Sequence, residues 1–519
     1  MGANGREMRR LVRWYRGCSA TRPMPTAATP CTSAVHRAVL RGGLLALALA
    51  LHAAHARPAH AQSDATRASP DATSGEPTHA SEPGPDDGQA RHVQAPEAVS
   101  PAVSPAVPAT VPATVSATRT ATAPESGLSL ATADGRHALR ASLWVQALAR
   151  VAVGDDAGQT VDTFSLRRVR PRLEGTLFCV VDYLFMLEAG GEGKLALFDA
   201  WADVRFLPAF RLRVGKQKQP FSLERLQGFP VIPLAERSFG AMVGPNRDLG
   251  VVAWGELFGG AFQYQLGLFN GVPDGRNGDD DLDDGKDVVG RVLVRPFVNV
   301  PDSPFARLAL GGAASYGRAQ GADGPATQTP TYTTPGRATM FAYRGATTTD
   351  TGRLPAGFAD GARRRFELDG YWYVGRFSLF AELVETSNTY RVPGTDTTRA
   401  VSVTAWSAMV AWLLTNDASS YVRGVEPRRP FDPAEGHWGA FELAARVQRF
   451  HVGAGAFPAL ADPDASVSDA LNLGVCLSWS VNRHMRLQVD GERTTFRGGA
   501  RGGDRSAENL ALLMLTLRT

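Results

Sequence analysis

Only four lysines occur in this arginine-rich chain, and two of them, Lys216 and Lys218, stand two residues apart in VGKQKQPFSLERL, residues 214–226. An ammonium is a compact point charge with rotatable donors, suited to passing an oxyanion along without fixing its geometry. The pair therefore reads either as an anion-handling site or as the cationic half of ion pairs to Glu224 or Glu236 that pin a loop. A second cationic feature is FSLRRVRPRLEGTLF, where Arg168, Arg170 and Arg172 recur at i, i+2 and i+4. On a strand those three point to one side. Arg211 and Arg213, Arg291 and Arg295, and Arg363 and Arg365 add to the polar faces of other alternating runs. A water-filled passage lined this way favours anions over cations. Carboxylates on similar faces, Glu174, Glu367, Asp369, Glu442, Asp490 and Glu492, could neutralise it instead.

Other chemistries find no support. GDDDLDDGKD, residues 278–287, lacks the spacing of a calcium loop and reads as a solvated turn. GGARGGDR, residues 498–505, opens no helix, and His437, His451 and His484 have no partners at metal-ligand spacing. There is no nucleophile elbow and no HExxH, so no catalytic residue, metal or cofactor is nominated.

The elements that must position these charges are strands. In ALRASLWVQALARVAV, Leu139, Leu143, Val145 and Val151 share one face while Arg140, Ser142, Gln146 and Arg150 share the other. Phe366, Leu368, Trp372 and Val374 alternate with Arg365, Glu367, Asp369 and Tyr371, and Leu487 and Val489 alternate with Arg486, Gln488, Asp490 and Glu492. No helix-length amphipathic segment follows residue 127. The 519 residues carry a net charge of only +4, which gives no reason to expect nucleic acid as a partner. A mean hydropathy of −0.16 argues against a bundle of membrane helices.

The N-terminal part reads as an address. Arg37 and Arg41 precede LLALALALHAA, residues 44–54, and AHA triplets follow at 54–56 and 59–61. This is the pattern of a secretory signal covering 1–56, cleaved at 56 or 61; a start at Met24 would give a more ordinary leader. The run is too short to cross a bilayer as a helix, and no cysteine follows it to take a lipid. Residues 57–126, rich in Ala, Pro, Ser and Thr and almost without aromatics, read as a disordered linker. Cys179 and Cys476 are read as two unpaired thiols in strands rather than as a pair.

Export together with a long all-β array from 127 to 519 points to a transmembrane antiparallel β-barrel of about 16 strands, the architecture that leaves no unpaired edge in lipid. Guanidiniums facing lipid would each cost roughly 2–4 kcal/mol at the bilayer midplane, so the arginine ladder must face the lumen. Trp144, Tyr183, Trp254, Tyr316, Trp406, Trp412, Trp438 and Trp479 are candidates for interfacial girdles.

RVGKQKQPFSLERL, followed by IPLAERSF and NRDLGVVAWGELFGGAFQYQLGLFNG, resembles the phosphate-selective porin O and P family, as do LRRVRPRLEGTLF at 166–178, DDGKDVVGRVLVRPF at 283–297 and GAFELAARVQRF at 439–450. The resemblance covers essentially the whole barrel. It implies a 16-stranded outer-membrane porin of a Gram-negative bacterium, assembled as a homotrimer in outer-membrane lipid. A loop folded into the lumen would carry basic side chains that bind anions such as phosphate in transit. Here that loop would run from Gly215 to Arg247, with Lys216, Lys218, Arg225, Arg237 and Arg247 as constriction candidates. Arg168, Arg170, Arg172, Arg211, Arg213, Arg291 and Arg295 would form the lumen ladder. Lys216 and Lys218 share parity with the apolar Leu212 and Val214, which implies that the strand ends or bulges there and re-aims them. The chain departs from the usual barrel pattern in ENLALLMLTLRT, which alternates poorly and ends in Thr519 rather than an aromatic. The expected function is passive diffusion of small anionic solutes, with the linker in the periplasm. The alternatives are a plugged barrel that serves as an anchor and, less favoured, a soluble exported β-protein that binds ligands.

Overall fold

Alternation of inward polar and outward apolar residues builds sixteen long strands in the computed structural model, which describes residues 127–519 except 155–161, 192–194, 280, 282, 325–326 and 350–351. The expected signal sequence, its cleavage sites and the 57–126 linker lie outside the described residues. The strands begin with β1 Ala138–Ala152, β2 Thr163–Leu177, β3 Val181–Glu188, β4 Ala196–Leu207, β5 Phe210–Lys218 and β6 Arg247–Leu257. Next come β7 Phe262–Phe269, β8 Asp287–Val294, β9 Leu308–Gln320, β10 Phe358–Val374 and β11 Phe377–Arg391. The last five are β12 Thr398–Leu413, β13 Ala440–Val452, β14 Val467–Ser480, β15 Met485–Ala500 and β16 Glu508–Arg518. Each pairs antiparallel with its sequence neighbours, and β16 returns to β1 with Trp144 opposite Arg518 and Ala152 opposite Leu510. Closure satisfies every strand edge, as a lipid-facing sheet requires.

The outer wall is apolar. Leu266, Leu310, Leu368, Leu473, Val475 and Val489 all point outward and are each more than half exposed. Such a belt would be untenable in water and is required in lipid. The residues between them point inward: Arg365, Glu367, Asp490 and Glu492 are all buried.

One end of the barrel has short turns, at 178–180, 208–209, 375–376 and 481–484; the other has the long connections 219–246, 270–286 and 321–357. In this architecture short turns mark the periplasmic end. The connection 414–439 departs from that rule, being long at the short-turn end and containing a small hairpin, Ala418–Ser420 with Gly424–Glu426.

Aromatic rings gather at the same end. Phe377 stacks on Trp412 at 6.0 Å and Phe441 on Trp479 at 5.9 Å, with Trp438 and Phe431 beside them. Two of the expected girdle residues are not part of it: Trp144 and Trp254 point into the lumen, against Arg172 and Arg211. The C-terminal segment forms a regular strand despite its sequence. Its inward residues Leu510, Leu512 and Met514 are apolar because Leu148 and Ala235 pack on them. Cys476 is a free, buried thiol on β14, as expected, whereas Cys179 sits in the β2–β3 turn at φ 62° rather than in a strand and is not a free thiol, so the expectation of two unpaired strand thiols holds for Cys476 alone.

Candidate functional site

The connection 219–246 folds into the lumen. It contains two short helical turns, α1 Leu223–Leu226 and α2 Phe239–Met242, each started by a serine whose hydroxyl accepts a backbone N–H: Ser222 from Arg225 at 3.2 Å and Ser238 from Ala241 at 3.4 Å. These caps satisfy donors that the short helices leave open. Phe221, Leu223, Leu234, Phe239 and Val243 are buried beneath the turns.

Polar contacts seat this loop on one side of the barrel. The Glu367 carboxylate on β10 accepts from Ser222 N at 2.7 Å and Leu223 N at 2.8 Å. On β13, Gln448 accepts from Phe239 N at 2.7 Å, and Arg446 donates to Glu236 O at 2.9 Å. On β15, Asp490 accepts from Ala235 N at 2.8 Å, Arg486 donates to Ile232 O at 2.9 Å and Gln488 to Pro233 O at 2.9 Å. The loop thereby covers the carboxylate-rich wall. Several acids of that wall are engaged by adjacent arginines as well as by loop N–H groups: Arg291 bridges Glu367 at 3.0 Å and Asp369 at 2.7 Å, Arg446 reaches Glu492 at 3.2 Å and Arg486 reaches Glu442 at 3.3 Å.

The opposite wall, from β2 to β6, is left facing the conduit. Arg168, Arg170 and Arg172 lie opposite Gln146, Trp144 and Ser142 of β1, whose face is inward. Arg168 contacts Glu236 at 3.3 Å, Arg170 contacts Glu188 at 2.6 Å and Arg172 contacts Glu174 at 2.7 Å. On β5, Arg211 and Arg213 share Asp203 at 3.0 and 2.7 Å. Arg295 does not join this ladder: it lies beyond the end of β8 in the periplasmic turn, bound to Gly260 O at 2.8 Å and near Glu256 at 3.3 Å.

Two cavities lie in the lumen beside the loop. One, of about 450 Å³, opens toward the long loops; the other, of about 370 Å³, lies below it. Arg170, Arg237 and Arg247 line both, at the neck where the two cavities adjoin. Arg247 is held by Asp199 at 3.1 Å and lies over the Phe198 ring at 3.8 Å. Arg237 and Lys218 differ from the other neck cations. Arg237 donates to Glu224 O and Gln227 O at 3.3 and 2.8 Å, and Lys218 donates to Leu226 O and Gln227 O at 3.1 and 3.3 Å. Among the described residues neither forms an ion pair with a carboxylate. Burial, with the guanidiniums of Arg225 and Arg168 adding repulsion, pushes Arg237 well below the ordinary arginine range. Burial and Arg247 likewise push Arg225 down to about 10. A cluster of positive charge short of counter-charge is a place that favours an anion.

The two lysines separate cleanly. Lys216 is buried, donates to Leu197 O at 2.7 Å and pairs with Asp279 of the 270–286 connection, so that aspartate-rich segment is more than a solvated turn. The strand neither ends nor loses register there. Pairing with β6 continues to Lys218 opposite Arg247, through Gly215 at φ 125°. Arg225 is turned away from the lower cavity and donates to Ala241 O between α1 and α2.

Several lining residues escaped the sequence reading: Trp144, Trp201, Phe229, Asp199 and Tyr421. Tyr421 comes from the unusual 414–439 connection. Its hydroxyl donates to Leu223 O at 2.6 Å, Gln227 Nε2 donates to its carbonyl at 2.9 Å, and its ring stacks on Tyr371 at 4.8 Å. The length of that connection at a short-turn end was the available signal.

Among solved structures the chain is similar to the outer-membrane OmpT of Vibrio cholerae (10% identity, 74% of this chain and 98% of that one, TM-score 0.48). It is also similar to the outer-membrane channel DcaP of Acinetobacter baumannii (10% identity, 74% and 97%, TM-score 0.48) and to an anion-selective porin from Comamonas acidovorans (12% identity, 74% and 100%, TM-score 0.44). No curated protein matches the sequence. The profile of the phosphate-selective porin O and P family matches residues 145–517, and the chain belongs to that family.

Proposed function

We propose that the barrel is a passive outer-membrane pore for small anionic solutes, with Lys218, Arg237, Arg247 and Arg170 forming the constriction. The observation that carries this reading is the position of the 219–246 loop over the carboxylate wall, which leaves the conduit to the cationic one. Arginines two residues apart on β2 stand roughly 7 Å apart along the strand, close enough for an anion to move from one to the next. Transit needs several weak sites, each favourable enough to enter and loose enough to leave. The compensated ladder arginines fit that requirement, and the neck holds the strongest site. Phosphate is the solute that family membership suggests. A homotrimer in outer-membrane lipid, with residues 57–126 on the periplasmic side, is also part of this reading. Its support is family membership and the position of Leu128–Ala131, which pairs with β1 at the short-turn rim.

The test is the reversal potential of the purified protein in a planar bilayer across a KCl gradient. A potential on the chloride side supports the reading. A potential near zero means a general pore, and no conductance means a plugged barrel held closed by the 219–246 and 414–439 connections.

A further inference from the structure

The cavity below the neck carries more than charge. Its cationic side presents flat faces: the guanidinium of Arg172 lies 3.9 Å from the Trp144 ring, that of Arg213 lies 4.2 Å from Trp201, and that of Arg170 lies 4.6 Å from Phe229. Each of these arginines already has a carboxylate partner, so it offers a planar, weakly hydrated surface more than net charge. The loop adds Leu226 and Phe229, and β3 adds Leu184 and Met186, to the same cavity. Gln217, Gln263 and Gln265 supply neutral hydrogen-bonding groups, and the Tyr421 ring bounds it toward the periplasm. Lys218 and Arg237, the cations of this lining that pair with no carboxylate among the described residues, stand at the same cavity.

We propose that this cavity is a subsite for organic anions in which one or two carboxylates are carried on a flat apolar body, that is, small aromatic carboxylates. The proposal rests on the reading of the pore as an anion pathway and specifies its solute. A hydrated inorganic anion gains nothing from leucine, methionine and phenylalanine surface and gives up water beside it. An aromatic carboxylate places its charge at Lys218 and Arg237 while its ring covers Phe229 and Leu226 or stacks among the Trp144 and Tyr421 faces. A volume of about 370 Å³ suits a small organic molecule. No bond is made or broken; the site holds the solute in transit.

The experiment is block of the chloride current through the full-length protein by benzoate, acetate and phosphate at neutral pH, with the reversal potential recorded on the same channels. Benzoate is expected to half-block at a concentration about tenfold below acetate and phosphate, the difference being ring contact. Leu226→Ser together with Phe229→Ser is expected to bring benzoate to within about twofold of acetate. If that variant does not assemble, the three blockers on the unaltered protein decide the matter. Anion-selective channels blocked by phosphate as well as or better than by benzoate would overturn the proposal while leaving the anion pathway standing. Channels with no anion selectivity would overturn both.

Discussion

Lys218 and Arg237 converge on one acceptor, the carbonyl oxygen of Gln227, at 3.3 and 2.8 Å. Among the described residues neither of these two cations pairs with a carboxylate, which is why the proposed anion site is placed at them. That arrangement depends on the loop between β5 and β6 being held against the far wall.

The clamp on that loop is Glu367. It takes two loop N–H groups and pairs with Arg291, and it is fully buried. Glu367→Ala leaves those donors and part of the Arg291 charge unsatisfied. It is expected to lower barrel stability by about 3 kcal/mol and to make the open current noisier. Thermal loss of heat-modifiable gel mobility and single-channel noise check the two effects.

Glu236 ties the loop to β2 through Arg167 and Arg168. Burial alone would raise its pKa, but the two guanidiniums outweigh burial and hold it down at about 2 instead of 4.5. A depressed carboxylate contributes stability that is fully present above its unfolded value and lost as pH falls through the folded one. Glu236 therefore contributes about 3 kcal/mol at neutral pH, disappearing between roughly pH 5 and pH 2. Glu236→Gln should be markedly less stable than the parent at pH 7 and nearly equal to it at about pH 2, as read from thermal midpoints at the two pH values.

Gly215 lies on β5 just before Lys216 and Lys218 and has a positive φ. At φ 125° a side chain is strained, and a Cβ there would lie 2.2 Å from Ala200 O. Gly215→Ala is expected to cost at least 1–3 kcal/mol from backbone strain alone, on the order of a severe core substitution. The yield of folded, heat-modifiable barrel is the readout, and a normal yield would mean the strand can accommodate the change.

Tyr421 supports the loop from the periplasmic side through Leu223 O, Gln227 and Tyr371. Tyr421→Ala removes the ring and should widen the lower cavity and raise single-channel conductance. Tyr421→Phe keeps the stack, loses only the 2.6 Å hydrogen bond and should change conductance little. Equal effects of the two substitutions would place the whole contribution in the hydroxyl.

Much of the barrel was legible because the inside/outside code is local. The alternation around Arg365, Glu367 and Asp369, and around Gln488 and Asp490, gives strand and face together. It failed where a tertiary partner changes what the inside wants. β16 turns Leu510, Leu512 and Met514 inward because the loop residue Ala235 covers them, so its faces alternate in burial but not in polarity. Trp144 and Trp254 look like girdle residues by type, yet they serve as lumen platforms for arginine. The two lysines could not be told apart from their spacing. Lys216 is claimed by Asp279, more than sixty positions away, and Lys218 is not. Such pairings depend on how long loops fold back, which no short stretch records.

The most direct test of the account is the reversal potential across a KCl gradient for the parent, for Lys218→Gln/Arg237→Gln and for Lys216→Gln. The parent is expected to be anion-selective, the double variant to shift strongly toward zero, and the Lys216 variant to keep the parent's selectivity because that lysine is already paired. A double variant as anion-selective as the parent, or a Lys216 variant shifted as far as the double one, would contradict it.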